Sequence, residues 1–285
     1  MTTDISTTED APIDAPPPSP PRRTSWVATL VTITGVILVG IVVLQAVSLG
    51  LSTGSGTRSA SYTADVEGVT SLDIGVSAGD LTVTFADVDE AQLDVTGSGW
   101  RDNTDWRLEV DDGRLVVRED DGWWFFWPNF GSSRTTADLV LPSELEGTVA
   151  ADLDVSSGEM SVDGDLQDVV IDVSAGSLTF IGASTSLDVE VSAGNATVVT
   201  QGPDEIDARV SAGRFTGTVT GAPPSRTTVE VSAGDAVLDL PDAEYAVSGD
   251  VSAGDRTIDV RTDPSSPNLL HVQVSAGDAT IGYSD

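Results

Sequence analysis

The chain has 285 residues, one histidine, no cysteine, and 46 acidic against 13 basic residues, which gives a formal net charge of −33. The lack of cysteine excludes disulfides, thiol nucleophiles, zinc fingers and iron–sulfur sites. The acidic excess argues against nucleic acid as a partner, because contacts to phosphates need a basic face. The composition calls for no cofactor.

The N-terminal region predicts a membrane anchor. Residues 1–25 are rich in proline, threonine and aspartate and are predicted to be a disordered cytoplasmic tail. The 26 residues from Trp26 to Leu51 are almost continuously apolar, and a membrane-spanning helix needs about 20 such residues. Arg22 and Arg23 precede this run, which predicts a cytoplasmic N-terminus and an extracellular C-terminal domain.

The predicted partner of residues 26–51 is therefore the lipid bilayer, and the predicted location is the cell membrane, crossed once. The alternative is a cleaved signal peptide with a weak site at Ala46-Val47-Ser48. Its apolar core would be about 7–15 residues long, which is shorter than the run observed here. Residues 52–59, rich in glycine and serine, are predicted to form a flexible linker.

Residues 60–150 are predicted to form an irregular N-terminal part of the extracellular domain. Alternating apolar residues predict strands at 70–76, 80–85, 91–96, 105–110, 113–118 and 135–141. End repeats of a stacked domain are often atypical because they cover its exposed end.

An aromatic loop is predicted at residues 122–131, because Pro128 and the flanking glycines disfavour a central strand. Exposed aromatic clusters commonly mark binding surfaces, so the loop is a candidate site for a cell-surface or membrane-protein partner. A hydrophobic lid over the end of the domain and a contact with the outer leaflet are the alternatives. The candidate residues are Trp123, Trp124, Phe125, Phe126, Trp127 and Phe130.

Residues 151–285 are predicted to be regular repeats, because the motif Val-Ser-Ala/Ser-Gly recurs there. From Val155 onward its starts are separated by 18, 18, 19, 21, 20 and 23 residues. This period indicates a β-solenoid or a leucine-rich repeat, and the leucine and asparagine pattern of the latter is absent. The predicted fold is all-β, a single-sheet-stack β-solenoid of 18–23-residue rungs preceded by one transmembrane helix. The motif starts at Val76, Val155, Val173, Val191, Val210, Val231, Val251 and Val274.

Each repeat reads as a strand, a corner and a second strand. Residues 187–191 alternate apolar and charged side chains before the motif. The motif glycine is predicted to form the corner in a conformation with positive φ. The predicted corner glycines are Gly79, Gly158, Gly176, Gly194, Gly213, Gly234, Gly254 and Gly277.

Stacking of rungs in chain order predicts rows of equivalent side chains. The outward position before the motif valine reads Asp154, Asp172, Glu190, Arg209, Glu230, Asp250 and Gln273. Like charges on neighbouring rungs repel, so this face needs Arg209, screening salt or a bound cation. The glycine-rich pattern of calcium-binding β-rolls is absent, which favours a solvated acidic face without a metal site.

No catalytic residue is predicted. His271 is the only histidine, and the alternation around it predicts an exposed, incidental imidazole. A remote alternative is a polysaccharide-cleaving enzyme that uses Glu190, Arg209, Arg214 and Glu230 on one face. Glycoside hydrolysis needs two carboxyl groups at a set separation, and nothing in the sequence singles out such a pair.

The repeats resemble a bacterial family of unknown function labelled putative adhesins. The resemblance rests on Val-Ser-Ala-Gly-Asp at 76–80, 231–235, 251–255 and 274–278, and on the strand end Leu139-Val140-Leu141-Pro142. It implies an exported β-solenoid that acts as a surface binding or structural module. Related domains accompany envelope-stress membrane systems, which implies the alternative of an accessory scaffold or sensor. The resemblance supplies no catalytic residues.

Overall fold

The computed structural model describes residues 57–98, 106–119 and 134–284. Within these ranges the protein is all-β, and its helical structure is a 3-10 turn at Ser143–Leu145. The strands of the N-terminal part are β1 (Thr57–Ala64), β2 (Ser71–Val76), β3 (Asp80–Ala86), β4 (Ala91–Ser98), β5 (Trp106–Asp111), β6 (Arg114–Glu119) and β7 (Arg134–Pro142).

The remaining strands are short and separated by corners or turns. They are β8 (Ala150–Val155), β9 (Glu159–Asp163), β10 (Asp168–Val173), β11 (Ser177–Ala183), β12 (Ser186–Val191), β13 (Asn195–Gln201), β14 (Glu205–Val210), β15 (Arg214–Thr220), β16 (Arg226–Val231), β17 (Asp235–Leu240), β18 (Glu244–Ser248), β19 (Asp255–Ile258), β20 (Arg261–Thr262), β21 (Leu269–Val274) and β22 (Asp278–Tyr283).

The strands divide between two sheets of eleven strands each, whereas the sequence predicts a single stack. Sheet 1 has the order β1-β4-β7-β3-β9-β11-β13-β15-β17-β22-β19. Sheet 2 has the order β20-β18-β21-β16-β14-β12-β10-β8-β2-β6-β5. From β8 to β17 successive strands alternate between the sheets, and each is parallel to its neighbours. We call a sheet 2 strand, its corner and the following sheet 1 strand a rung.

The core lies between the two sheets, because period-2 alternation points every second side chain inward. In β12 the inward residues Leu187, Val189 and Val191 are buried, and the residues between them face outward. Parallel register places Val191 beside Val173 and Val210 of the neighbouring rungs. Full burial of one such aliphatic side chain contributes roughly 1.5–3 kcal/mol.

All six strands expected between residues 60 and 150 are confirmed as β2 to β7, with ends that differ by one or two residues. β1 begins at Thr57, within the stretch predicted to be a linker. It was missed because its sequence, TRSASYTA, lacks an aliphatic alternation. β1 and β4 are antiparallel, β4 and β7 are antiparallel, and β5 and β6 are antiparallel. These strands close the first end of both sheets.

The rungs do not stack entirely in chain order, so that prediction is wrong at the second end. β21 lies between β16 and β18, and β22 lies between β17 and β19. The physical reason is in the side chains. β21 buries Leu270, Val272 and Val274 as an interior strand does, whereas β19 places Arg256 at an inward position. The Arg256 guanidinium donates to the carbonyl oxygens of Gly249 (2.7 Å) and Val272 (3.0 Å), which suits an end rung.

No helix long and apolar enough to cross a membrane occurs in residues 57–98, 106–119 and 134–284. The predicted tail (1–25), the predicted span (26–51) and the linker up to residue 56 lie outside these ranges.

Candidate functional site

The corner glycines stack on one another along the domain. Of the eight, only Gly254 and Gly277 have positive φ, at 96° and 100°. The predicted reason for glycine is therefore wrong at the other six positions. The corners are hydrogen-bonded from rung to rung through the backbone; for example, Ala193 N–H donates to the Ser174 carbonyl (2.8 Å).

Lack of space is the reason for glycine at the interior corners. A Cβ on Gly194 would lie 2.3 Å from the Gly176 carbonyl oxygen and 2.6 Å from a Val173 methyl carbon. A Cβ on Gly176 or on Gly213 would also lie 2.2–2.6 Å from a glycine carbonyl oxygen and a valine methyl carbon of the neighbouring rung. Each corner glycine thus lets the backbones of neighbouring rungs approach to hydrogen-bonding distance.

Glu119 covers the first corner, which has no regular rung before it. One carboxylate oxygen of Glu119 accepts the backbone N–H groups of Ser77 (3.0 Å), Ala78 (2.8 Å) and Gly79 (2.9 Å). Elsewhere a neighbouring rung supplies backbone acceptors to the corner. Hydrogen bonds to an ionised carboxylate are stronger than those to a neutral carbonyl, so Glu119 is an effective cap.

A cavity of about 380 Å³ lies beside this corner on the sheet 2 side. Arg118 crosses it, pairs with Asp73 and lies 3.8 Å from Asp154. A Cβ on Gly75 would lie 2.5 Å from the Arg118 guanidinium, so glycine there makes room for it. The two arginines of this cavity form ion pairs within the protein, Arg118 with Asp73 and Asp154 and Arg107 with Glu109. Its lining is Gly75, Val76, Ser77, Arg107, Arg118, Glu119, Asp154 and Ser156.

The six aromatic candidates, Trp123, Trp124, Phe125, Phe126, Trp127 and Phe130, lie outside the described residues. The positions that flank them are described. Glu119 ends β6 and Arg134 begins β7, and Arg134 is paired with Ser98, which is paired with Thr57. Neighbouring strands are about 4.8 Å apart, so the start of β7 lies two strands, or about 10 Å, from the start of β1.

The outward face of sheet 2 is acidic, and from β8 to β16 its rows follow the prediction. Glu190 lies between Asp172 and Arg209, and Arg209 lies beside Glu230. The Arg209 guanidinium reaches Asp207 (2.6 Å), Asp188 (3.3 Å) and Glu230 (4.0 Å). At the second end the predicted order of the row is wrong, because the neighbour of Glu230 is Gln273 and not Asp250.

Crowding on this face raises the pKa of two carboxyl groups. Partial burial raises the pKa of Asp172 above 3.8, and the charges of Glu190 and Asp152 add to the shift. Partial burial also raises the pKa of Asp207, although the neighbouring Arg209 opposes the shift. Within the described ranges no group of three or more acidic or histidine side chains could hold a metal ion.

The residues considered for glycan cleavage are not brought together as one group. Arg214 lies in sheet 1, where it pairs with Asp235 (3.0 Å), while Glu190, Arg209 and Glu230 lie in sheet 2. His271 is partly exposed on the outward side of β21, as predicted, and its Nδ1 is 3.1 Å from the Ser248 hydroxyl.

The outward face of sheet 1 carries a row of β-branched and hydroxyl side chains three positions after each corner glycine. Seven of its eight members are threonine or serine, and all eight are exposed or partly exposed. Strand register makes each one the direct neighbour of the next. We call it the hydroxyl row: Thr82, Ser161, Thr179, Thr197, Thr216, Val237, Thr280 and Thr257.

No family model and no curated protein matches the chain. Among solved structures, a putative cell adhesion protein from Clostridium sporogenes is 12% identical, with a TM-score of 0.36, over 80% of this chain and 100% of that one. A putative adhesin from Bacteroides fragilis is 16% identical, with a TM-score of 0.42, over 81% and 100%. A putative adhesin from Parabacteroides merdae is 11% identical, with a TM-score of 0.41, over 81% and 98%.

The resemblance to proteins described as putative adhesins is thereby confirmed. At these identities and TM-scores the likeness carries no argument about a ligand or a role.

Two features were missed from the sequence. The hydroxyl row had a signal, because threonine or serine follows the corner glycine at a fixed spacing in seven of eight repeats. Glu119 had none, because it begins the acidic run Glu119-Asp120-Asp121 and nothing in that run distinguishes the residue that caps the corner.

Proposed function

We propose that this chain is a non-catalytic, membrane-anchored surface module whose extracellular part is a β-solenoid with rungs of 18–23 residues. Residues 26–51 would cross the bilayer, with the N-terminus in the cytoplasm. The extracellular part would act as an adhesin-like binding or structural element. Repeats that contact only their neighbours build extended, rigid surfaces, and such surfaces serve binding well.

The observation that carries the proposal is the regular, outward-facing architecture of the two sheets. Inward residues are buried and apolar in β12 and β14, while their outward residues are polar or charged and stand in rows along sheet 2. Such rows present the same chemistry on rung after rung. This regularity supports a module that offers long faces to a partner.

A second role, an accessory scaffold or sensor in a cell-envelope stress response, is favoured by one specific observation. The strand that begins after the aromatic segment lies two strands from Thr57, where the described chain starts after the predicted span. If the aromatic residues stay close to the strand that follows them, they would suit a partner in or near the membrane. A surface binder would instead present its aromatic residues at the far end.

Cross-linking on intact cells, with mass spectrometry of the captured material, separates these roles. Wild type is compared with Trp123→Ser/Trp124→Ser/Trp127→Ser. The control is Val170→Ser/Val251→Ser/Leu269→Ser, which removes exposed apolar side chains elsewhere. Capture of a defined membrane protein that only the tryptophan variant loses would support the scaffold role. Capture of wall material that neither variant changes would support the surface module.

A further inference from the structure

The hydroxyl row is long and narrow. It runs over eight neighbouring strands of sheet 1, so at about 4.8 Å per strand it is about 34 Å long and one side chain wide. In the part of the chain that the structure describes, no other side-chain or backbone group bonds to its seven hydroxyls. Each hydroxyl can donate one hydrogen bond and accept two. The row therefore presents unused hydrogen-bonding groups to solvent on every strand except β17, where Val237 takes the place of a hydroxyl residue.

The charge around the row is unevenly distributed. On the three central strands β11, β13 and β15, the nine positions in and beside the row include no acid. Their only charge, Arg214, is paired with Asp235. The other face of the same rungs carries six acids at nine outward positions. The central positions are Ser177, Thr179, Ile181, Asn195, Thr197, Val199, Arg214, Thr216 and Thr218.

Acidic side chains flank the row toward both of its ends. Glu159 lies beside it at the first end, and Asp278 and Asp255 lie beside it at the second. A polyanion laid along the row would meet these carboxylates and be repelled. A neutral polymer would not.

We propose that the hydroxyl row binds a neutral, hydroxyl-rich glycan chain that lies along the row, which rests on the proposed role as a surface module. The glycan hydroxyls exchange hydrogen bonds with the threonine hydroxyls. The threonine methyl groups and the exposed side chains of Ile181 and Val199, which are 46% and 40% exposed, contact its apolar ring faces. Many weak, repeated contacts then add up along one polymer chain.

A globular protein or a second copy of this chain fits the row less well. The central area without acidic side chains covers three strands of about seven residues, or about 300 Å². A stable interface buries about 800 Å² on each partner. A wider contact between two copies would bring acidic side chains from both together. A single extended polymer needs only the length of the row.

The test is affinity electrophoresis of the full-length chain in mild detergent through gels that contain a neutral β-glucan, dextran or polygalacturonate. We expect retardation by a neutral glucan and none by polygalacturonate. Thr179→Val/Thr197→Val/Thr216→Val removes three hydroxyls and keeps the β-branched shape that suits a strand. It should weaken glucan binding about tenfold or more. The control is Thr70→Val/Thr185→Val/Thr228→Val, which lies off the row and should bind as wild type does.

The inference would be overturned if polygalacturonate retards the wild type, or if neither neutral glucan does. It would also be overturned if a neutral glucan retards both threonine variants equally. Unchanged thermal unfolding of the row variant ensures that lost binding is not lost folding. The proposed surface role is judged separately by cross-linking on cells. Capture of surface material that the row variant does not reduce would leave that role standing and contradict the glycan site, whereas no capture by wild type would contradict the surface role itself.

Discussion

At the residue scale, the corner glycines show two separate reasons for the same amino acid. Gly194 has no room for a Cβ between Gly176 and Val173, and its φ is not positive. A Cβ on Gly202 would have no neighbouring atom within 4 Å, but the φ of Gly202 is +74°. One glycine is required by packing between rungs and the other by backbone conformation.

Gly194→Ala should lower the free energy of unfolding by about 3 kcal/mol, because the added methyl group overpacks a rigid corner. Gly202→Ala is the matched control. It should cost about 1 kcal/mol, from the left-handed conformation alone. Urea unfolding of both variants measures the difference. Equal losses, or a larger loss for Gly202→Ala, would show that the stacked corner can open to admit a methyl group.

The sequence predicts where such glycines lie but not why they are there. The recurring motif marks every corner, since glycine at fixed spacing after an alternating strand is a local signal. The distance from Gly194 to Gly176 depends on how the rungs stack, and no local signal encodes it. Glu119 illustrates the same limit, because its role as a cap exists only once Ser77, Ala78 and Gly79 lie beside it.

At the scale of elements, the order of strands at the second end is the main departure from the sequence prediction. Strands were predicted well because period-2 alternation is a property of each segment by itself. Which strands lie side by side was predicted from chain order, and that order holds from β8 to β17. β18 and β21 both carry inward apolar residues, so their alternation alone does not order them. The three buried side chains of β21 and the inward Arg256 of β19 favour β21 as the interior strand.

Engineered cysteines test this order cleanly, because the chain has no cysteine of its own. Glu230 and Gln273 are direct neighbours on β16 and β21. Strands about 4.8 Å apart place their Cα atoms within the range that a disulfide spans. Glu230→Cys/Gln273→Cys should therefore form a disulfide under mild oxidation, which is read by mass spectrometry after proteolysis.

The matched control is Glu230→Cys/Asp250→Cys, which joins the strands that chain-order stacking would make neighbours. We expect it to remain largely reduced, because β21 lies between β16 and β18. Ready oxidation of this pair, with none of the first, would mean that the rungs stack in chain order.

At the scale of the whole molecule, the two faces of the same rungs differ in charge. Sheet 2 is acidic along most of its rungs, while the centre of sheet 1 has no acidic side chain in or beside the hydroxyl row. With a net charge of −33, self-repulsion lowers the stability of the compact state. The sequence could predict the acidic rows, since chain-order stacking holds there, and it predicted them correctly for Asp172, Glu190 and Arg209.

This charge distribution predicts that mild acid stabilises the domain. The pKa values of Asp172 and Asp207 are raised by partial burial and by neighbouring acids. The folded state therefore takes up protons at a higher pH than the unfolded state. Stability from these two groups should increase as the pH falls from neutral toward 3.8, the ordinary pKa of an aspartate, and it is lost as the pH rises through their raised pKa values. Both side chains reach solvent, so we expect less than about 1 kcal/mol from each.

Urea unfolding at several pH values measures this effect. Asp172→Asn should be more stable than wild type at neutral pH and should show a weaker dependence on pH. Asp87→Asn, which removes a carboxylate away from sheet 2, is the control and should keep the wild-type slope. The same slope in all three proteins would assign the pH dependence to other groups.

The position of β21 and β22 also bears on how the domain is completed as the chain is synthesised. A chain that emerges N-terminus first can add rungs one after another as far as β17. The next segments, β18 and β19, cannot take their final places at that stage, because those places lie against β21 and β22, which have not yet emerged. The last closure joins segments that are distant in sequence, and non-local closures of this kind are slow. Folding in chain order would therefore leave the outermost rung unfinished until residues 269–283 have emerged.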